Sequence, residues 1–395
     1  MQIVINPPKK TWPSLCERPQ VELEFLENSV RNILARVQRS GDEALREFVK
    51  PLMTLLYRPE TTELIINEPG VVFAESDCGW ERHEFPQLDM DHLMQMAKAI
   101  ATHSKQEISA QHPILSAMLP TQERVQIVMP PAVPVGTISF SVRRPSARIQ
   151  TLAEYESQKV FESTQWHLPE AEVEGVGKMT VPGSDQKLIK LLRARRFADF
   201  LAEAVTNRLN ICVVGDTGSG KTTLMKTLCQ SIPGYERIIT IEDVRELFMP
   251  NHDNQVNLLY SKGGQGQAKV TPADLIASCM RMKPDRVLLA ELRGSESYDF
   301  LKLLTTGHSG SITSFHAESC SRAIARFALM AKEHPEAAAY DDVALKRLLF
   351  MTMDVIAHLK AEPIFDTDGQ QIGKRRVMTE IYFDPYKRLE LAYAT

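Results

Sequence analysis

One stretch constrains this chain more than any other: GDTGSGKTT, Gly215 to Thr223, set between the apolar run NICVVG (210–215) and the helical run KTTLMKTLCQ. It fits the pattern G-x-x-x-x-G-K-[ST] in its strand-to-helix setting. Glycine carries no Cβ, so the backbone can curl until successive amides face one point. From Gly215 through Thr217, Gly218, Ser219 and Gly220 to Thr222 and Thr223, this loop is expected to cradle phosphate. The following helix offers the positive end of its dipole. Lys221 is expected to reach β- and γ-phosphates, and the Thr222 hydroxyl to bind Mg²⁺.

Such a loop needs a strand before it and a helix after it, and the downstream pattern supplies more of both. RIITIE (237–242) and RVLLAE (286–291) are apolar runs of strand length. Between them a helix is announced by Thr271 as cap, Pro272 at the first helical position and Asp274 in the first turn. The run 187–205 reads as one amphipathic basic helix with a solvated face. Strands that are apolar throughout, alternating with helices, predict an α/β domain with a mostly parallel sheet between helices. Ligands of such sheets sit at the carboxyl ends of the strands.

Those ends carry acid. The second strand ends in Glu242-Asp243 with Glu246 one turn on, and the third in Glu291-Leu292-Arg293-Gly294. A carboxylate is a costly neighbour for an apolar strand unless paired or near a metal. Beside a phosphate site, one of Glu242 and Glu291 can hold magnesium while the other activates the attacking water. The sequence leaves open which is the base, with Glu291 preferred. Further on, TTGHSGSITSFHA places Gly307, His308, Gly310 and His316 around a short strand. A histidine just past a strand can respond to a γ-phosphate.

The chain has 395 residues, 43% hydrophobic and 24% charged, enough for more than one core. A net charge of -4 argues against a globally basic nucleic-acid binder. The six cysteines form no C-x-x-C pair, so neither a disulfide framework nor a zinc knuckle is expected. No apolar run reaches membrane-spanning length, and the start lacks the pattern of a signal peptide, pointing to the cytoplasm. Four stretches are expected: a leader over 1–49, a smaller α+β domain over 50–145, a polar linker over 146–185, and the phosphate-binding domain over 186–395. In the second stretch, 63–68, 70–75, 124–131 and 136–145 read as strands and 90–104 as a helix.

Taken in order, GDTGSGKTT, ITIEDVREL, LRGSE after RMKPDRVLLAE, and TGHSGSITSFHA resemble the secretion (traffic) ATPases, and among them the VirB-eleven type that energises type IV secretion. INEPGVVF, HPILSAMLP, ERVQIVMPP and GTISFSVRRPS are similar to that family's N-terminal domain. The resemblance implies a RecA-like P-loop ATPase domain joined to a smaller N-terminal domain. It implies ATP and Mg²⁺ as ligands and a homo-hexameric ring. Partners would be inner-membrane secretion components, including another secretion ATPase, with peripheral membrane contact and nucleic acid only as cargo. It further implies that Arg124 and Arg143 reach the nucleotide phosphates, that His316 senses the γ-phosphate, that Glu242 and Glu291 form the acidic pair, that Arg293 is a candidate for stabilising transition-state charge or for signalling across subunits, and that the linker exchanges domains between neighbours. Type II secretion or pilus motors are the alternative within the class, and a nucleic-acid translocase or helicase outside it. The leader resembles the start of histidinol dehydrogenase without that enzyme's body, so its removal is expected to leave ATPase activity intact.

Overall fold

In the computed structural model, residues 42–145, 148–167, 180–260 and 270–393 are described. Two lobes form, each around its own sheet. The first sheet is antiparallel: β1 (Glu63–Ile66), β2 (Val71–Ser76), β3 (Gly79–Glu84), β4 (Ile114–Met118), β5 (Arg124–Val128) and β6 (Ser139–Arg143) lie in the order β3-β2-β1-β6-β5-β4. Alternation decides which face is buried: Leu64 and Ile66, Val125 and Ile127, Phe140 and Val142 point into one core. Helices α1 (Asp42–Leu56) and α2 (Met90–His103) cover it. In α2, capped by the Asp89 carboxylate on the His92 amide, Leu93, Met96, Ala97 and Ile100 repeat at helical spacing and are buried.

The expected division at 49/50 falls inside α1. Leu45, Val49, Leu52 and Leu56 recur every three or four residues and are buried in the first lobe's core. The helical pattern reaching Val49 therefore belongs to this lobe and runs on through Pro51. Residues 1–41, which hold most of the stretch likened to histidinol dehydrogenase, lie outside the described residues.

The second sheet has eight strands: β7 (Gln165–His167), β8 (Ile211–Gly215), β9 (Ile238–Glu242), β10 (Gln255–Leu259), β11 (Arg286–Leu289), β12 (Ile312–Phe315), β13 (Val355–Phe365) and β14 (Gln371–Phe383). Their order is β10-β9-β11-β12-β8-β13-β14-β7. Strands β10 to β13 in this order pair in parallel, β13 and β14 form a long antiparallel ribbon, and β7 runs parallel on its edge. Successive residues feed two cores: Ile211 and Val213 enter one, Cys212 and Val214 the other. The apolar strands are thus buried on both faces, which is what their composition requires.

The expected linker at 146–185 is part of this lobe over 148–167. There α3 (Leu152–Ser157) starts with a Thr151–Glu154 capping box, Tyr155, Val160 and Phe161 are buried, and β7 joins the sheet. A six-residue helix and a three-residue strand are too short to show a period, so the segment reads as irregular. Residues 146–147 and 168–179 of the expected linker lie outside the described residues, and its last three positions, from Gly183, already belong to a helix of this lobe. The single helix expected over 187–205 is two, α4 (Gly183–Arg193) and α5 (Phe197–Thr206), broken where Arg195 takes φ 55°. Among the described residues no helix is long and apolar enough to cross a membrane.

Candidate active site

Strand β8 delivers Gly215 to the carboxyl edge of the sheet, and α6 (Lys221–Cys229) begins six residues later. Between them the chain turns on Gly215, Gly218 and Gly220, with φ of 146°, 77° and 94°. Gly215 has no substitute, because a Cβ there would lie 2.1 Å from the Leu359 carbonyl oxygen. The Ser219 hydroxyl is buried with no partner among the described residues, an arrangement that calls for a ligand. Thr222 and Thr223 are partly exposed in the first turn of α6, whereas Asp216, Thr217 and Gly218 are exposed.

Lys221 is nearly buried, and its Nζ donates to the Gly215 and Asp216 carbonyls, each at 2.8 Å. Burial pulls its pKa down to about 8, against the opposing pull of the Glu291 and Asp216 carboxylates. Its ammonium is 3.4 Å from His316 Nδ1. His316 follows the last residue of β12, and its Nε2 lies 3.2 Å from Glu291 Oε1. Burial and the positive charge of Lys221 hold this imidazole below its ordinary pKa. The other Glu291 oxygen bonds Arg293, whose guanidinium is also 3.9 Å from Asp243. Lysine, histidine, glutamate and arginine from three different strand ends thus form one chain of contacts at the mouth of the phosphate loop.

Glu242 is not in that chain. It continues the buried pattern of β9 and is fully enclosed. Its Oε1 accepts from the Thr240 hydroxyl at 2.9 Å, and its Oε2 from the Glu246 and Leu247 amides at 2.7 and 2.9 Å. Burial raises its pKa. A carboxylate engaged by three local donors anchors the loop that follows β9. The acid that faces the site from this strand end is Asp243, the first residue past β9, which accepts from Arg124 at 2.7 Å.

Arg124 and Arg143 stand side by side, partners in the β5–β6 register. Arg124 bonds both Asp243 and, at 2.9 Å, Glu246 across the lobes, so the first lobe contributes a cation at the acidic rim. The Arg143 charge is among those acting on Lys221. His308 lies ahead of β12, at the opposite end of the strand from His316. Sequence reasoning missed the β14 cations. Arg376 places its Cδ 3.2 Å from where a Cβ on Gly220 would stand, and it lines a cavity of 260 Å³ with Ser219, Gly220, Tyr155 and Lys374. Arg376 also pairs with Asp77 at 2.9 Å and Lys374 with Glu75 at 2.6 Å, both acids on the first lobe. Only the docking of the two lobes reveals this, since 299 positions separate each pair.

Residues 188–360 match the family described as type II/IV secretion system protein. The type IV secretion system protein VirB11 of Brucella suis is 42% identical over 346 residues, covering 87% of this chain and 91% of that protein. VirB11 of Bartonella henselae is 38% identical over 351 residues, covering 86% and 93%. Among solved structures, the ATPase DotB of Legionella pneumophila shares the fold at a TM-score of 0.51 and 14% identity, over 89% of this chain and 83% of that one.

Proposed function

The chain belongs to the VirB11 family of type IV secretion ATPases, and from that premise we propose that it hydrolyses ATP at the Gly215–Thr223 loop and uses the cycle to drive type IV secretion. One observation carries the site assignment: the Lys221 ammonium sits on carbonyl oxygens of its own glycine loop while touching His316, which in turn touches Glu291. Phosphate oxygens replace those carbonyls as acceptors when nucleotide binds, and the unpartnered Ser219 hydroxyl and loop amides add donors.

Each side chain then has a task. Glu291 Oε1 takes the proton of the attacking water. His316, held neutral, reads the γ-phosphate through Lys221 and Glu291 and passes the change to β12. Arg293 offsets charge developing on the phosphates. Arg124 and Arg143 bring positive charge from the first lobe, so closure of the lobes completes the site. Thr222 and Glu291, a hydroxyl at the start of α6 and a carboxylate at the loop's mouth, fit magnesium. Bound there, the ion would neutralise phosphate charge.

By the same family reading, the working unit is a ring of six. It docks on inner-membrane secretion components, a second secretion ATPase among them, at the cytoplasmic face. Phosphate release by the purified chain tests the assignment. Lys221→Ala is expected to lower it by at least about a hundredfold with the fold intact, and undiminished release in that variant would place the chemistry elsewhere.

A further inference from the structure

At the β7 edge of the second sheet, three donor atoms of three chemical kinds converge. His167 closes β7, Glu380 lies on β14 and Cys320 opens α7 (Cys320–Ala331); the imidazole nitrogen, carboxylate oxygen and Sγ lie within 4.8 Å of one another. Among the described residues no other group of three such side chains comes together this way. His167 Nε2 is 3.0 Å from Glu380 Oε2, and the Cys320 amide donates to that same oxygen at 2.9 Å. The thiol rests on the Ile356 carbonyl at 3.3 Å. Thiol and carboxylate are sheltered, while His167 is 43% exposed, which gives an ion a way in. His358, opposite Glu380 in the β13–β14 register and bonded to the Thr379 hydroxyl, backs the carboxylate from within the sheet.

We propose that His167, Cys320 and Glu380 form a zinc site. A sulfur, an imidazole nitrogen and a carboxylate oxygen are the donors zinc takes in tetrahedral sites, whereas magnesium wants oxygen alone. The fourth position is left to water on the exposed His167 side. Binding breaks the Cys320 S–H bond and forms an S–Zn bond. The proton passes to solvent, and no electron is transferred. The ion ties the edge strand β7 to the start of α7, four residues beyond His316, and so braces the turn that carries the γ-phosphate reader. This last consequence rests on the ATPase reading; the binding itself does not.

The test uses the full chain, stripped of metal and free of nucleotide, titrated with cobalt(II) as an optical stand-in. One equivalent should produce a thiolate-to-cobalt charge-transfer band that zinc(II) then removes. Cys320→Ser should abolish the band, and His167→Ala, a change at an exposed side chain, should weaken binding by at least about tenfold. Absence of the band, its survival in Cys320→Ser, or unchanged affinity in His167→Ala would each overturn the proposal. Because the readout is spectroscopic, its failure is separable from failure of the ATPase assignment, which phosphate release measures.

Discussion

Arg124 reaches across the two lobes and donates to the Asp243 carboxylate at 2.7 Å. Asp243 is buried, with side-chain exposure of 8%, and Arg124 is one-quarter exposed, so the pair is sheltered enough to matter and open enough to break. Glu246 holds the same guanidinium, so loss of Asp243 alone leaves one contact. Asp243→Asn is expected to cost about 1 kcal/mol in urea denaturation. It should also speed amide exchange in β5 several-fold. Exchange in β5 indistinguishable from the native chain would show that this contact does not hold the lobes together.

Lys221 sets a pH dependence with a definite sign. Its folded-state pKa is depressed from 10.5 to about 8 because burial disfavours the cation. The unfolded chain therefore binds the extra proton between those two values, and folding stability of the nucleotide-free protein rises as pH climbs from about 8 toward 10.5. Nucleotide affinity runs the other way, since the loop needs the ammonium: it should fall as pH passes about 8, and Lys221→Arg should flatten that fall. Isothermal titration of a non-hydrolysable nucleotide across this range checks it, and a flat native profile would contradict it.

The two glutamates separate cleanly by experiment. Glu291→Gln should still bind ATP while hydrolysis drops about a hundredfold or more. Glu242→Ala should instead strip three donors, two of them buried, of their acceptor and cost about 2–4 kcal/mol of stability. Glu242→Gln, which keeps a carbonyl oxygen, should cost less. A Glu242→Gln protein that is fully stable yet catalytically dead would restore Glu242 to the chemistry.

Truncation behind Val49 cuts α1 in half. Leu45 and Val49 leave the first lobe's core, each vacancy worth about 2–5 kcal/mol, so the truncated chain should lose the cooperative unfolding of that lobe. Circular dichroism and limited proteolysis would register the loss. A shortened chain with native protease resistance and full hydrolysis would show that α1 is dispensable.

The second lobe was legible where sequence and chemistry coincide locally. The glycine loop, the apolar strands and the Thr271–Asp274 cap are each set by neighbours a few residues apart, and all three stand as expected. At Glu242-Asp243 the sequence shows that acid ends a strand without showing which residue is the last one inside the layer. The buried run of β9 extends one residue further than its apolar letters, and Asp243 takes the next position, at the rim of the layer. Arg124 and Arg143 lie 19 positions apart and meet only through the β5–β6 register, a relation that local pattern could not show. The β14 cations were invisible for the same reason on a larger scale.

Beside two neutral hydrogen bonds, from Gln371 to the Asp77 carbonyl and from the Cys78 thiol to the Ile372 carbonyl, the lobes are joined by pairs of opposite charge: Arg124 with Asp243 and Glu246, Lys374 with Glu75, and Arg376 with Asp77. Each is partly wetted, and dissolved ions weaken such attractions over a Debye length of about 10 Å at 0.1 M. The attraction between the lobes is therefore expected to depend on ionic strength, firm in dilute buffer and slack in brine, while the oily interiors of the two lobes hardly notice the change.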